Sequence, residues 1–303
     1  MSGGPDFIGV GMPKAGTGWL YDQLEAHPDF WMPPVKELVY LTQKFPRMQF
    51  VDERGEPRAP RRERSQRRRN AGPPRASSQK DRLIQRPLRD HRDVEFLRYA
   101  SGCRGQPMSL DRYAGLFSFK GDLLSGDITP PYCNLDDEMV RRVAEHFPRT
   151  KVILLVRDPV ARAWSRICMS HEAGGFDTAL LHDAARFRMY IEGSHKLGAV
   201  FATEVYRRWR REAPASPFGF FVFDDLVNRP DHLRQEILLF LGADPNKKSG
   251  ELPAEYNRKA QAAKLELTST AKVVLVDYFA DEIRACADLF GGHAVNWGAS
   301  YGL

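Results

Sequence analysis

The stretch DFIGVGMPKAGTGWLYDQLEAH, residues 6–27, decides how the rest of the chain is read. Asp6 to Gly11 is a short apolar run of the kind that forms a buried strand. A Gly/Pro-rich turn follows, and from Thr17 to His27 the apolar residues Trp19, Leu20 and Leu24 fall at helical spacing. Strand, glycine loop and helix in that order open a nucleotide-binding βα unit. Such a loop turns successive backbone N–H groups and a helix N-terminus toward an anion. Gly16 and Gly18 allow close approach, Lys14 adds a point charge, and Thr17 adds a hydroxyl at the helix start. A Walker A loop requires Lys directly after its second glycine. Gly11 and Gly16 have that spacing, but Thr17 stands where Lys belongs and the lysine lies upstream at 14. A small-molecule kinase using Mg·ATP is therefore the disfavoured alternative.

Further along, Lys151–Val156 (KVILLV) is a fully apolar strand suited to the centre of a parallel sheet. Gly121–Tyr132 reads as a strand running into a proline turn, and Phe218–Phe223 as another strand. Helical patterns cover 93–101, 109–117, 136–147, 158–171, 201–212, 231–241 and a last one over 268–290. Strands alternating with helices predict an α/β fold with a mainly parallel sheet.

The composition, 42% hydrophobic and 28% charged, fits one large domain spanning 1–303. Four cysteines without a C-x-x-C pair argue against a metal site or a disulfide framework and suit a reducing cytoplasm. The N-terminus carries no pattern of a secretory signal, and no apolar run is long enough for a membrane span. The net charge of +6 is local: residues 54–92 hold thirteen arginines and one lysine against four acids, leaving the rest of the chain acidic. That insert lacks hydrophobic periodicity and reads as a solvated, weakly ordered excursion, with a lid over an anionic acceptor and an out-of-frame stretch as other readings. A nucleic-acid partner for it is disfavoured, since neither an aromatic-interleaved platform nor a recognisable binding motif accompanies it.

A second anion-binding pattern, RDPVARAWS, residues 157–165, follows the KVILLV strand directly. Arg157 at the strand end and Ser165 two helical turns on can converge on one phosphate, the first as a charged fork and the second as a neutral donor. Arg162 has two readings, a cofactor contact or the partner of a carboxylate.

The P-K-x-G-T-x-W loop and the R-[DN]-P-x-x-R-A-x-S element together resemble the sulfotransferases that use 3′-phosphoadenosine 5′-phosphosulfate (PAPS). The resemblance implies a P-loop-like three-layer fold, a central mainly parallel sheet flanked by helices. It also implies PAPS as co-substrate, with no metal, and transfer of a sulfuryl group to a hydroxyl or amine of a small-molecule or glycan acceptor. Pro13, Lys14, Ala15, Gly16, Thr17 and Gly18 would then form the 5′-phosphosulfate loop, Trp19 would stack on adenine, and Arg157 and Ser165 would take the 3′-phosphate. Gly18 departs from the cytosolic branch, which has Thr there. PPVKELVYL resembles the K-E-x-x-[YF]-[FL] strip of bacterial and Golgi-type enzymes, where the glutamate is the base; this implies Glu37 as base beside Lys14, with Lys36 positioning substrate or cofactor. The cytosolic branch uses a histidine, which leaves as rivals His27, read first as the cap that closes the first helix, and His91 at the edge of the insert. GDITPPY resembles the G-E-x-[ST]-P-x-Y turn, giving Asp127 and Thr129 as acceptor-side contacts and Tyr132 as core. The stretch 220–245 resembles an architectural part of the family, and Asn257, Arg258 and Lys259 are the nearest matches to its basic loop.

Overall fold

A computed structural model describes residues 3–42, 86–194, 201–247, 252–256 and 265–303. Its centre is a four-stranded parallel sheet in the order β2-β1-β3-β4. The strands are β1 (Phe7–Gly11), β2 (Gly126–Ile128), β3 (Lys151–Val156) and β4 (Phe218–Val222). β1 is buried along its whole length and β3 at every position after Lys151, as inner strands covered on both faces must be. Register is fixed by Phe7 opposite Gly126 on one side and Lys151 on the other, and by Val152 opposite Phe218. β2 is only three residues long, because Pro130 and Pro131 end its ladder and turn the chain into a 3-10 segment, Pro130–Asn134.

Around the sheet lie α1 (Thr17–Ala26), α2 (His91–Gly102), α3 (Leu110–Gly115), α4 (Asp137–His146), α5 (Pro159–Glu172), α6 (Ala184–Glu192), α7 (Ala202–Glu212), α8 (Phe223–Asn228), α9 (Pro230–Leu241), α10 (Ser269–Phe290) and α11 (His293–Tyr301). Several starts are written in the sequence. Asp136 accepts from Met139 N at 2.8 Å, and Asp158 accepts from Val160 N at 2.9 Å with Pro159 at the first helical position. Gly242, at φ 85°, closes α9.

From β1 the chain moves to β2 on one side, then crosses to β3 on the other. The crevice at the carboxyl ends of β1 and β3 is thus the topological switch point, where parallel α/β sheets place their ligands. Met12 N–H donates to Leu155 O at 2.8 Å across that point, tying the first loop to β3.

Two expectations are corrected here. The helix over 268–290 is followed by α11, which weak amphipathic patterning and the Gly291-Gly292 break conceal in the sequence. The Arg-rich insert does not extend to residue 92 as a solvated excursion. The Arg86 side chain is largely covered and forms a fork with Asp93 at 2.5 and 2.8 Å, donates to Met32 O at 3.1 Å, and meets Glu25 at 3.0 Å. Asp90 then caps α2 through Arg92 N at 2.9 Å. The remainder of the insert, 54–85, lies outside the described residues, as do Asn257, Arg258 and Lys259.

Candidate active site

The loop from Gly11 to Gly16 leaves β1 at the switch point and delivers α1 N-terminus first. Gly16 is the N-cap residue at φ 94° and has no side chain to cap the first turn, which contains no acid. The first-turn N–H groups and the positive helix pole are therefore left without a side-chain cap, an arrangement that suits an anion. Only glycine fits at 16, since a Cβ there would lie 2.8 Å from Leu226 Cδ1 and 3.3 Å from the Phe223 ring. Ala15 and Thr17 are buried, whereas Pro13, Lys14 and Gly18 are partly open.

Lys14 adopts φ 70° and its amine reaches Met169 Sδ of α5 at 3.7 Å. Its carbonyl accepts from Arg157 Nη1 at 2.8 Å, so the second motif holds the first by its main chain. Arg157 also lies over the Phe223 ring, 4.1 Å from guanidinium carbon to centroid. Burial lowers the Arg157 pKa, with the nearby Asp158 and Asp224 acting against it. Ser165 sits half-buried on α5, one turn before Met169. The two motifs, 143 residues apart in sequence, thus meet at one crevice.

Lys36 and Glu37 arrive from the loop after α1. The Lys36 amine lies beside Gly18, 3.7 Å from where a Cβ would be. A third cation therefore stands at the loop, in the space that glycine leaves open. Glu37 has φ 60° and Val39 φ 58°. A left-handed β-branched residue is a true outlier, and each such residue costs on the order of 1–3 kcal/mol unless its surroundings enforce it.

The enforcing groups are those expected to contact the acceptor. Asp127 and Thr129 are 1% and 0% exposed and lie beneath this loop, which corrects the expectation for both. Asp127 accepts from Leu38 N at 3.3 Å, Tyr113 Oη at 3.1 Å, Thr129 Oγ1 at 2.6 Å and Tyr132 Oη at 2.6 Å. Thr129 Oγ1 accepts from Val39 N at 3.4 Å, and Tyr132 Oη from Leu41 N at 3.3 Å. Burial raises the Asp127 pKa, and these donors oppose that rise. Tyr132 is core, fully buried.

Trp19 is likewise turned inward, 2% exposed, with Nε1 donating to Ala254 O at 2.7 Å; its rings belong to the core instead of facing a ligand. His27 is buried at the end of α1. Nε2 meets Asp244 O at 3.1 Å, Nδ1 accepts from Asp29 N at 3.2 Å, and burial lowers its pKa, all of which fix it as a neutral structural ring. His91 is exposed at the start of α2. Arg162 is 7% exposed on the inward face of α5, where burial lowers its pKa and Glu282 acts against that fall. Arg166 was not singled out from the sequence. It follows Ser165 on α5, and burial lowers its pKa, with the Glu37 carboxylate among the groups acting against that fall. Adjacency to Ser165 was the only signal for it.

The family model for the "Sulfotransferase family" matches residues 5–246, and the chain belongs to that family. Comparison with curated proteins gives no match. Among solved structures, a sulfotransferase from Alicyclobacillus acidocaldarius superposes with a TM-score of 0.60 at 17% identity, covering 97% of this chain and 98% of that one. The sulfotransferase domain of the Synechococcus PCC 7002 olefin synthase gives 0.48 at 17% identity, covering 95% and 94%. The first likeness establishes the P-loop-like α/β fold. Among the described residues no helix is long and apolar enough to cross a membrane, and no group of three or more His, Cys, Asp or Glu could hold a metal ion.

Proposed function

We propose that this sulfotransferase uses PAPS as donor and a hydroxyl or amine of a small-molecule or glycan acceptor, in a reducing, cytoplasmic setting. The observation that carries the reading is the bond from Arg157 Nη1 to the Lys14 carbonyl, which brings the two motifs together at one crevice. In this reading the α1 N-terminus, Gly16 and Thr17 hold the 5′-phosphate side, and Arg157 with Ser165 holds the 3′-phosphate. The acceptor oxygen attacks sulfur in line while the bond from sulfur to the 5′-phosphate oxygen breaks. Glu37 takes the acceptor proton, and Lys14, with Lys36 beside Gly18, neutralises charge gathering on the departing phosphate. Charge neutralisation and positioning supply most of the rate in transfers of this loose type. The cysteines among the described residues are free and buried, as suits a reducing compartment.

Thermal unfolding tests the donor. 3′-Phosphoadenosine 5′-phosphate (PAP) at 100 times its Kd stabilises by about 2.7 kcal/mol, while Mg·ATP gives no comparable shift. Stabilisation by Mg·ATP alone contradicts the reading and favours a kinase.

A further inference from the structure

Arg157 is flanked by two carboxylates, and one helix holds both. Asp158 follows it in the chain; Oδ1 caps α5 and Oδ2 accepts from the Tyr301 hydroxyl. Asp224, the second residue of α8, accepts at Oδ1 from Trp297 Nε1 at 3.2 Å. Tyr301 and Trp297 stand one turn apart on α11, and a turn earlier His293 Nε2 meets Asp225 Oδ1 at 3.0 Å. Each acid beside the crevice is therefore engaged by a side chain of α11. Among the described residues Arg157 forms no ion pair; its guanidinium meets the Lys14 carbonyl and the Phe223 ring.

A guanidinium beside a free carboxylate closes into a bidentate pair and loses its fork to that partner. Two acids adjoin Arg157; α11 supplies a donor to each, and Asp158 is held in addition by the Val160 N–H of α5. The arrangement leaves a partly buried guanidinium near two carboxylates but in contact with neither, so its fork stays open to an incoming phosphate.

We infer that α11 is a positioning element for 3′-phosphate recognition: Tyr301 and Trp297 hold Asp158 and Asp224 and so keep the Arg157 fork available. The inference rests on the PAPS reading above. Tyr301 and Trp297 act through the two acids and need not touch the nucleotide.

Calorimetric titration with PAP and with adenosine 5′-phosphate, which lacks the 3′-phosphate, separates this role from a general structural one. In the wild type PAP binds the tighter of the two. Tyr301→Phe removes one hydroxyl, frees Asp158 Oδ2 for Arg157 while Oδ1 still caps α5, and weakens PAP binding about 10-fold, with adenosine 5′-phosphate changed by less than about 2-fold. Asp158→Asn in the Tyr301→Phe background retains a capping oxygen but not the charge, and returns PAP binding to within about 3-fold of wild type. Should Tyr301→Phe not fold, Trp297→Phe releases Asp224 and is judged by the same ratio. Equal weakening of both nucleotides, or an unchanged preference for PAP, overturns the role of α11 while leaving the donor assignment intact. A double variant that is not restored overturns it as well. A wild-type protein that does not prefer PAP overturns the PAPS reading and this inference with it.

Discussion

Lys14 and Glu37, the two residues assigned to the chemistry, both sit at positive φ although neither is glycine. Local strain of this kind persists where surrounding contacts impose it, and here Asp127, Thr129 and Tyr132 impose it on the loop carrying Glu37. Glu37→Gln is expected to lower kcat by about 10²–10⁴-fold, the range for losing a general base, while the melting temperature stays near that of wild type. Asp127→Ala behaves in the opposite order. It strands four buried donors, so urea unfolding shows a loss of at least about 3 kcal/mol, and turnover falls because the Glu37 loop is released. The sequence located the GDITPPY turn but not the side on which its acid lies. A strand register decides that, and β2 is too short for alternation to reveal it.

At the scale of elements, the βα unit at the N-terminus and the KVILLV strand were legible because their physics is local: an apolar run, a glycine turn, a helix-spaced face. The features that escaped depend on distant partners. That His27 closes α1 was legible, but its ring is held by Asp244, 217 residues away, and that was not. Because burial holds its folded-state pKa below the ordinary value of about 6.5, the unfolded chain binds the proton more readily. Stability contributed by the neutral ring is present above that ordinary value and is lost as pH falls below it. Denaturation midpoints followed from pH 7.5 down to about 5 decline for the wild type, and His27→Gln shows a shallower decline. Arg86 makes the same point about charge. Its composition places it in the arginine-rich run, yet its side chain is 8% exposed and its partner Asp93 is 0% exposed. Arg86→Ala leaves a buried carboxylate unpaired, and chemical denaturation should register a loss of about 3–5 kcal/mol. Exposed arginines of α7, such as Arg210, should cost under about 0.5 kcal/mol when replaced.

Across the whole molecule, the sheet order brings residues from three separate parts of the sequence to one crevice: the loop after β1, the start of α5 after β3, and α8 after β4. Motif order along the chain announced the first two. The third, with Phe223 over Arg157 and Leu226 against Gly16, is set only by β4 pairing with β3. α11 then closes over the acids of this region from the far end of the described chain. The acceptor side is less defined than the donor side because it is built from loops, whose shape follows from no periodicity.

Transfer of labelled sulfur from PAPS to a panel of phenols, sugars, lipids and peptides, by wild type and by Lys14→Ala, tests the central claim most directly. The account predicts label on at least one acceptor class with the wild type, and a loss of at least about 10²-fold with the variant. Full activity in Lys14→Ala, or label transferred from no PAPS at all by a folded wild-type protein that binds Mg·ATP, would contradict it.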